Sequence, residues 1–294
     1  MNYALVGNND GPLRLIIALK KEGVKLPDFV GLQKKPHETL LVKYLQETVN
    51  IDFNTGFKED GLIELLKNHQ IDVLINCFCN FKFNILLKLY SCFNIHPSYL
   101  PMYRGRHPMH WALILGEKEH GITLHKMTSD FDAGAIYWQE QIELNKNMSV
   151  AELREGLMLK LEEGFPVIMS CFFKNEEVVT KSNESIEGSY LPRRFPKDNL
   201  LSEWENSDWI YRKVKALRSE SSPAYIKTTE LEYIPVRDVL IINDPIIKLK
   251  ENRKPTIIKV LNNKILIQMP DEVILQMTTE LGISGKLNKT SVVL

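Results

Sequence analysis

The sequence predicts an α/β fold. A doubly wound, mainly parallel sheet occupies residues 1–188, and a linking segment with a small β-rich domain occupies 189–294. Three observations lead there. Short apolar runs alternate with helix-period segments through the first half, as a parallel sheet with crossover helices requires. Val73 to Cys77 reads as a strand buried on both faces. Beyond Val236 the pattern changes to short β-rich runs separated by turn signals.

The elements follow in order. Tyr3 to Val6 is a strand ending at Gly7, and Leu13 to Lys21 has helical spacing. Phe29 to Leu32 is a second strand, and Glu38 to Glu47 a helix. Asp60 is placed to cap a helix over Gly61 to Asn68. Phe93 to His96 is a further strand. Val150 to Ser170 reads as one long helix, with Ser149 and Glu152 at capping-box spacing. Asn175 to Ser189 is polar and reads as a linker, and Trp204 to Leu217 is helical. Val239 to Ile242, Thr256 to Leu261, Lys264 to Met269 and Glu272 to Met277 are the terminal strands, with turns at Asn262-Asn263 and Pro270-Asp271.

Composition removes several classes of function. The 37 basic and 37 acidic side chains cancel, so no global field draws in nucleic acid or an anionic membrane. No leader pattern opens the chain and no run is long enough to span a bilayer, so a cytoplasmic setting with free thiols is expected. Cys77 and Cys79 share a strand face, but two ligands do not close a zinc site. His107 and His110 lie three apart, with His120 and His125 further on and no carboxylate at ligand spacing, so no metal is expected. The first turn, Gly7-Asn8-Asn9-Asp10-Gly11-Pro12, lacks the glycine pattern that cradles a dinucleotide.

The chemistry concentrates in Asn94-Ile95-His96-Pro97-Ser98-Tyr99-Leu100-Pro101-Met102-Tyr103-Arg104-Gly105. Asn94 and His96 are two apart on a strand and face the same way. Pro97 ends that strand, placing the pair at its carboxyl end, where doubly wound folds bind ligands. An amide donor beside an imidazole can hold an oxyanion and move a proton. The same pair can also simply tie down a loop. A second stretch runs from Gly121 to Met127 and on through Asp130, Phe131, Asp132 and Gly134. Asp132 is either a turn residue or the acid that orients His96.

Together these stretches resemble the folate-dependent formyltransferase family, which includes the glycinamide ribonucleotide, methionyl-tRNA and sugar N-formyltransferases. Asn94, His96, Ser98, Leu100, Pro101, Gly105, Asp132 and Gly134 match its pattern. The resemblance is good over residues 70–170 and looser before. It implies Asn94, His96 and Asp132 as the catalytic triad and 10-formyltetrahydrofolate as the cofactor. Relatives hold the pteridine on loops that correspond to Phe81, Lys82 and Phe83 and to Lys126, Asp130 and Phe131. Tyr190-Leu191-Pro192-Arg193-Arg194 and Trp204 resemble the segment joining core to C-terminal domain in the transfer-RNA and sugar branches.

The acceptor implied is a nucleotide-linked amino sugar. The long basic loop of the transfer-RNA branch is missing after Gly31, and zero net charge disfavours a polyanion. Arg193 and Arg194 can fork onto a pyrophosphate, or be a solvated pair. Ser98, Tyr103, Arg104, His107 and Tyr190 are further candidate substrate contacts. A homodimer stays open. The alternatives are a methionyl-tRNA formyltransferase and a formyltetrahydrofolate hydrolase.

Overall fold

The computed structural model describes residues 1–8, 10–33, 43, 47, 52–79, 82–174, 176, 178–183, 189–227, 233–243 and 254–279. Apart from Lys43 and Glu47, the helix expected over Glu38 to Glu47 lies outside the described residues. The chain divides into two units. Unit 1 comprises residues 1–105, 120–142 and 155–191, and unit 2 comprises 106–119, 143–154 and 192–294. Unit 2 thus takes in two segments from the first half besides the residues from 192 onward.

Unit 1 is built on a seven-stranded sheet. Its strands are β1 (Tyr3–Gly7), β2 (Phe29–Leu32), β3 (Asp52–Thr55), β4 (Val73–Cys77), β5 (Ser91–His96), β7 (Glu119–Lys126) and β8 (Ile136–Glu143), in the order β3-β2-β1-β4-β5-β7-β8. A two-residue strand, β6 (Arg104–Gly105), pairs separately with β9 (Tyr190–Leu191). Strands β3 to β5 along that order are parallel, whereas β7 runs antiparallel to β5. The doubly wound, mainly parallel expectation therefore holds. Neither β3 nor β8 is evident from the sequence: β8 interleaves Gln139, Glu140 and Gln141 with its apolar residues.

The core of unit 1 explains the strand runs. Every residue of β1, β2 and β4 is buried. Helix α1 (Gly11–Lys21) buries Leu13, Leu15, Ile16 and Leu19. Helix α2 (Glu59–Asn68) buries Leu62 and Leu66. Its N-cap is Lys58, not Asp60. Glu59 is committed elsewhere: its Oε1 accepts the N–H groups of Asn84, Ile85 and Leu86 at the start of α3 (Leu86–Leu89), where donors lack partners and a negative charge is favoured.

Unit 2 contains α4 (Pro108–Leu115), α6 (Ser207–Leu217) and a five-stranded antiparallel sheet. The sheet strands are β10 (Ala224–Lys227), β11 (Tyr233–Ile242), β12 (Thr256–Leu261), β13 (Lys264–Gln268) and β14 (Ile274–Thr279), in the order β10-β11-β14-β13-β12. Ile210, Val214 and Leu217 of α6 share one core with Val236, Val239, Ile267 and Leu275. The expected capping box at the start of α5 (Val150–Lys174) is formed: Ser149 N–H donates to Glu152 and the Glu152 N–H to Ser149 Oγ. Among the described residues no helix is long and apolar enough to cross a membrane.

Candidate active site

The three residues expected as a triad meet in unit 1. Asn94 and His96 end β5, and Asp132 lies in the turn between β7 and β8. His96 Nδ1 is 3.5 Å from Asp132 Oδ1. Asn94 Nδ2 is 3.5 Å from the same oxygen. Asp132 sits in the left-handed region at φ 53°, which an aspartate visits more readily than most residues. Gly134 follows it, and a Cβ there would meet the Lys126 carbonyl oxygen at 1.9 Å. The Asp-small-Gly pattern is thus a steric requirement of the turn.

Hydrogen bonding fixes each member. His96 Nε2–H donates to the Tyr103 carbonyl at 3.0 Å, so the neutral ring carries its lone pair on Nδ1, toward Asp132. Burial holds the His96 pKa below its ordinary value, although Asp132 and the Tyr103 carbonyl oppose the shift. Burial works to raise the Asp132 pKa, but His96, His125 and the Gly105 N–H outweigh it and hold it at about 2. That N–H donates to Asp132 Oδ2 at 2.9 Å. The acid is therefore ionised and the imidazole neutral near pH 7.

Two side chains that the sequence did not mark as site residues complete the cluster. His125 stands opposite Asn94 in the β5–β7 pairing. Its Nδ1–H donates to the Lys126 carbonyl at 2.9 Å, leaving Nε2 to accept from Asn94 Nδ2 at 3.1 Å. Asn76 on β4 donates to Asn94 Oδ1 at 2.7 Å and accepts the Cys79 N–H at 2.9 Å. Asn183 is also buried. Its amide donates to the carbonyls of Asp132 and Gly134, and its Oδ1 accepts from Arg104 Nη2 at 3.0 Å.

The other predicted contacts divide. Phe131 is half exposed, with Lys82 Nζ 5.0 Å from its ring centroid, so the two present an apolar and cationic face on the loop that bears Asp132. Asp130 is exposed in the same loop. Phe83 is a correction: it is buried among Ala4, Val6 and Leu86 as core. Lys126 is another, since its ammonium bonds Ser91 Oγ and covers the Phe93 ring. Phe81 lies outside the described residues.

Ser98, expected at the substrate, is wholly buried and donates to the Met102 carbonyl at 2.8 Å, pinning the loop after β5. Tyr103 is buried, and Arg104 is held by Asn183. Tyr190 is exposed beside Gly105, where φ is 94° and a Cβ would lie 2.5 Å from the Leu191 carbonyl oxygen.

His107, Arg193 and Arg194 belong to unit 2. The two arginines do not form the expected fork. Arg193 is exposed over the Phe195 ring, whereas Arg194 is buried and donates to Asn199 Oδ1. Successive residues of an extended segment face opposite ways. His107 and Arg194 do come together in the wall of one cavity.

The doubly wound sheet thus gathers an amide, an imidazole and a carboxylate at its carboxyl edge. Residues 26–167 match the formyl transferase family model. The chain is 36% identical over 129 residues to the bifunctional polymyxin resistance protein ArnA of Wigglesworthia glossinidia brevipalpis, across 42% of this chain and 19% of that protein. It is 29% identical over 224 residues to the methionyl-tRNA formyltransferase of Clostridium beijerinckii, across 74% of this chain and 70% of that protein. Among solved structures it is similar in fold to WlaRD, a sugar 3N-formyl transferase, with TM-score 0.70 and 18% identity, covering 95% of this chain and 97% of that one.

Proposed function

We propose that the chain transfers a formyl group from 10-formyltetrahydrofolate to the amine of a nucleotide-linked amino sugar. The observation that carries the reaction class is the convergence of Asn94, His96 and Asp132. When bound, the folate supplies the activated formyl carbon. The Phe131 and Lys82 face fits a flat heteroaromatic ring with an anionic tail.

The chain's own groups have definite tasks in this reading. His96 is neutral and accepts a proton at Nδ1, where Asp132 Oδ1 then stabilises the imidazolium. One Asn94 N–H is committed to His125, and the other makes only the 3.5 Å contact with Asp132. That second N–H is the donor available to a developing oxyanion.

Support for an amino-sugar acceptor is the balanced charge of the chain and its full-length similarity in fold to WlaRD, crystallised with dTDP and 5-N-formyl-THF. A second reading, formylation of methionyl-tRNA, is favoured by the match to the C. beijerinckii enzyme. One acceptor screen separates them: purified protein, 10-formyltetrahydrofolate, a panel of amino-sugar nucleotides, and charged initiator transfer RNA. Formylation of an amino-sugar nucleotide alone is expected. Activity on transfer RNA with none on any sugar nucleotide overturns the acceptor, and formate release without an acceptor points to a hydrolase.

A further inference from the structure

The loop that follows β5 is held by two sets of bonds. Residues 97–102 are tied to β7 and β8. His120 Nε2–H donates to the Pro97 carbonyl, Thr123 Oγ1 bonds Ser98 and Leu100, and Gln139 donates to the Leu100 carbonyl. Residues 103–105 are tied instead to residues 189–191. The Tyr103 N–H donates to Ser189 Oγ at 2.7 Å, and the Arg104 N–H to the Ser189 carbonyl at 2.8 Å. Arg104 and Gly105 then pair in parallel with Tyr190 and Leu191.

Residues 103–105 in turn fix the triad. The Tyr103 carbonyl accepts from His96 Nε2, and the Gly105 N–H donates to Asp132 Oδ2. A few residues upstream of Ser189, the same segment reaches the turn that bears the acid. Asn183 Nδ2 donates to the Asp132 carbonyl at 2.7 Å and to the Gly134 carbonyl at 3.1 Å. Lys181 and Ile136 exchange main-chain bonds of 3.0 Å. Arg104 Nη2 links the two halves by donating to both the side-chain and the main-chain oxygen of Asn183. The Asn183 amide has one orientation that suits these neighbours, with nitrogen toward carbonyls and oxygen toward a guanidinium.

Backbone conformation shows why such a hold is needed. Tyr103 and Asp132 sit in the left-handed region, at φ 59° and 53°. Residues other than glycine persist there where their surroundings hold them. Ser189 holds the first through its N–H, and Asn183 holds the second through its carbonyl. Both lie beyond residues 26–167, which match the family model. The matched stretch thus carries the triad without these two residues.

We propose that Asn183 and Ser189 are positioning residues for formyl transfer. They hold the Asp132 turn and the 103–105 backbone so that His96 keeps its hydrogen on Nε2 and presents Nδ1 to Asp132. The proposal rests on the reaction class stated above, whichever amine is the acceptor.

The test compares the full wild-type chain with Ser189→Ala, Ser189→Thr and Asn183→Asp. The last keeps the side chain's size and its acceptor for Arg104 but removes the donor. Nitrogen-15 spectra of the histidine rings come first, because they need no acceptor amine. Wild-type His96 should show one neutral tautomer, with hydrogen on Nε2. Ser189→Ala and Asn183→Asp should mix the tautomers. They should also move the His96 titration to lower pH, because Asp132 and the Tyr103 carbonyl, which oppose the lowering by burial and His125, are let go. Ser189→Thr keeps the hydroxyl and should restore the wild-type spectrum. With 10-formyltetrahydrofolate and the acceptor found in the screen, both disruptive variants should lower kcat about ten- to a hundredfold, the scale of a misplaced catalytic group. The KM for folate should stay within about twofold, since the loss falls on the reacting geometry. Folded Ser189→Ala and Asn183→Asp proteins with wild-type His96 spectra and kcat overturn the proposal, even if they melt lower. If the wild-type protein formylates nothing in the screen, the reaction class fails, while the spectra still decide whether these two residues hold His96 and Asp132.

Discussion

Asn94, His96, His125 and Asp132 in unit 1 are buried or nearly so, and each is fixed by at least one hydrogen bond to a neighbour. Arg194 and His110 in unit 2 are buried to a similar degree, and each retains a nitrogen without a partner. The first arrangement holds its geometry before anything binds, as an electrostatic catalyst requires. The second leaves buried nitrogens unmet, an arrangement that costs stability. Burial alone does not tell the two apart; the state of the remaining hydrogen bonds does.

The largest effect that would break this comparison lies in the triad. Asn94→Ala, His96→Ala and Asp132→Asn should each lower turnover by about 10²–10³ or more, with circular dichroism and melting little changed. Two of three variants with near-normal turnover at saturation would remove the triad from the mechanism. Asn183 comes next. Replacing it with Ala strands the Asp132 and Gly134 carbonyls, while Arg104 keeps its bond to the main-chain carbonyl of residue 183. Stability should fall by about 1–3 kcal/mol, the cost of unsatisfied buried groups. Turnover should fall while the Michaelis constant for folate stays constant, because the acid is displaced and the folate face is not.

A pH experiment sharpens the same point. His120 is buried with Nε2 on the Pro97 carbonyl, and its pKa is depressed to about 4, mainly by burial. An unfolded chain takes up that proton near 6.5. Stability is therefore full above about pH 6.5 and lost as pH falls toward 4, by up to about 3 kcal/mol from this residue. Denaturant melts at pH 7.5 and 4.5 should show the loss, and His120→Gln should reduce it. The smallest effect expected is none: a chelator should leave activity unchanged, and loss restored by zinc would point to a histidine site.

The local parts of this site were legible in the sequence. Period-two spacing put Asn94 and His96 on one strand face, and the Asp132-Gly134 turn needs a glycine for steric reasons. The roles of His125 and Asn76 were not legible because they depend on which strands lie beside β5, and register across a sheet is not written in either strand alone. Asn183 lay in a polar stretch read as linker, where its burial gave no local sign. Phe83 was misplaced because it follows a loop, although an aromatic side chain with so much surface to bury favours the core. The Arg193-Arg194 pair invited a fork, while the alternation of an extended chain separates them.

One further consequence lies in the hydrogen bonds that run from the Cys79 N–H through Asn76, Asn94 and His125 to the Lys126 carbonyl. The sequence of donors and acceptors has a single sense of travel. It begins at a main-chain group that can only give and ends at one that can only receive. Neither Asn76 nor Asn94 can turn its amide around without placing oxygen against oxygen or nitrogen against nitrogen somewhere along the line. The peptide backbone, at two points remote from the reacting atoms, thus decides which end of Asn94 an incoming oxygen will meet.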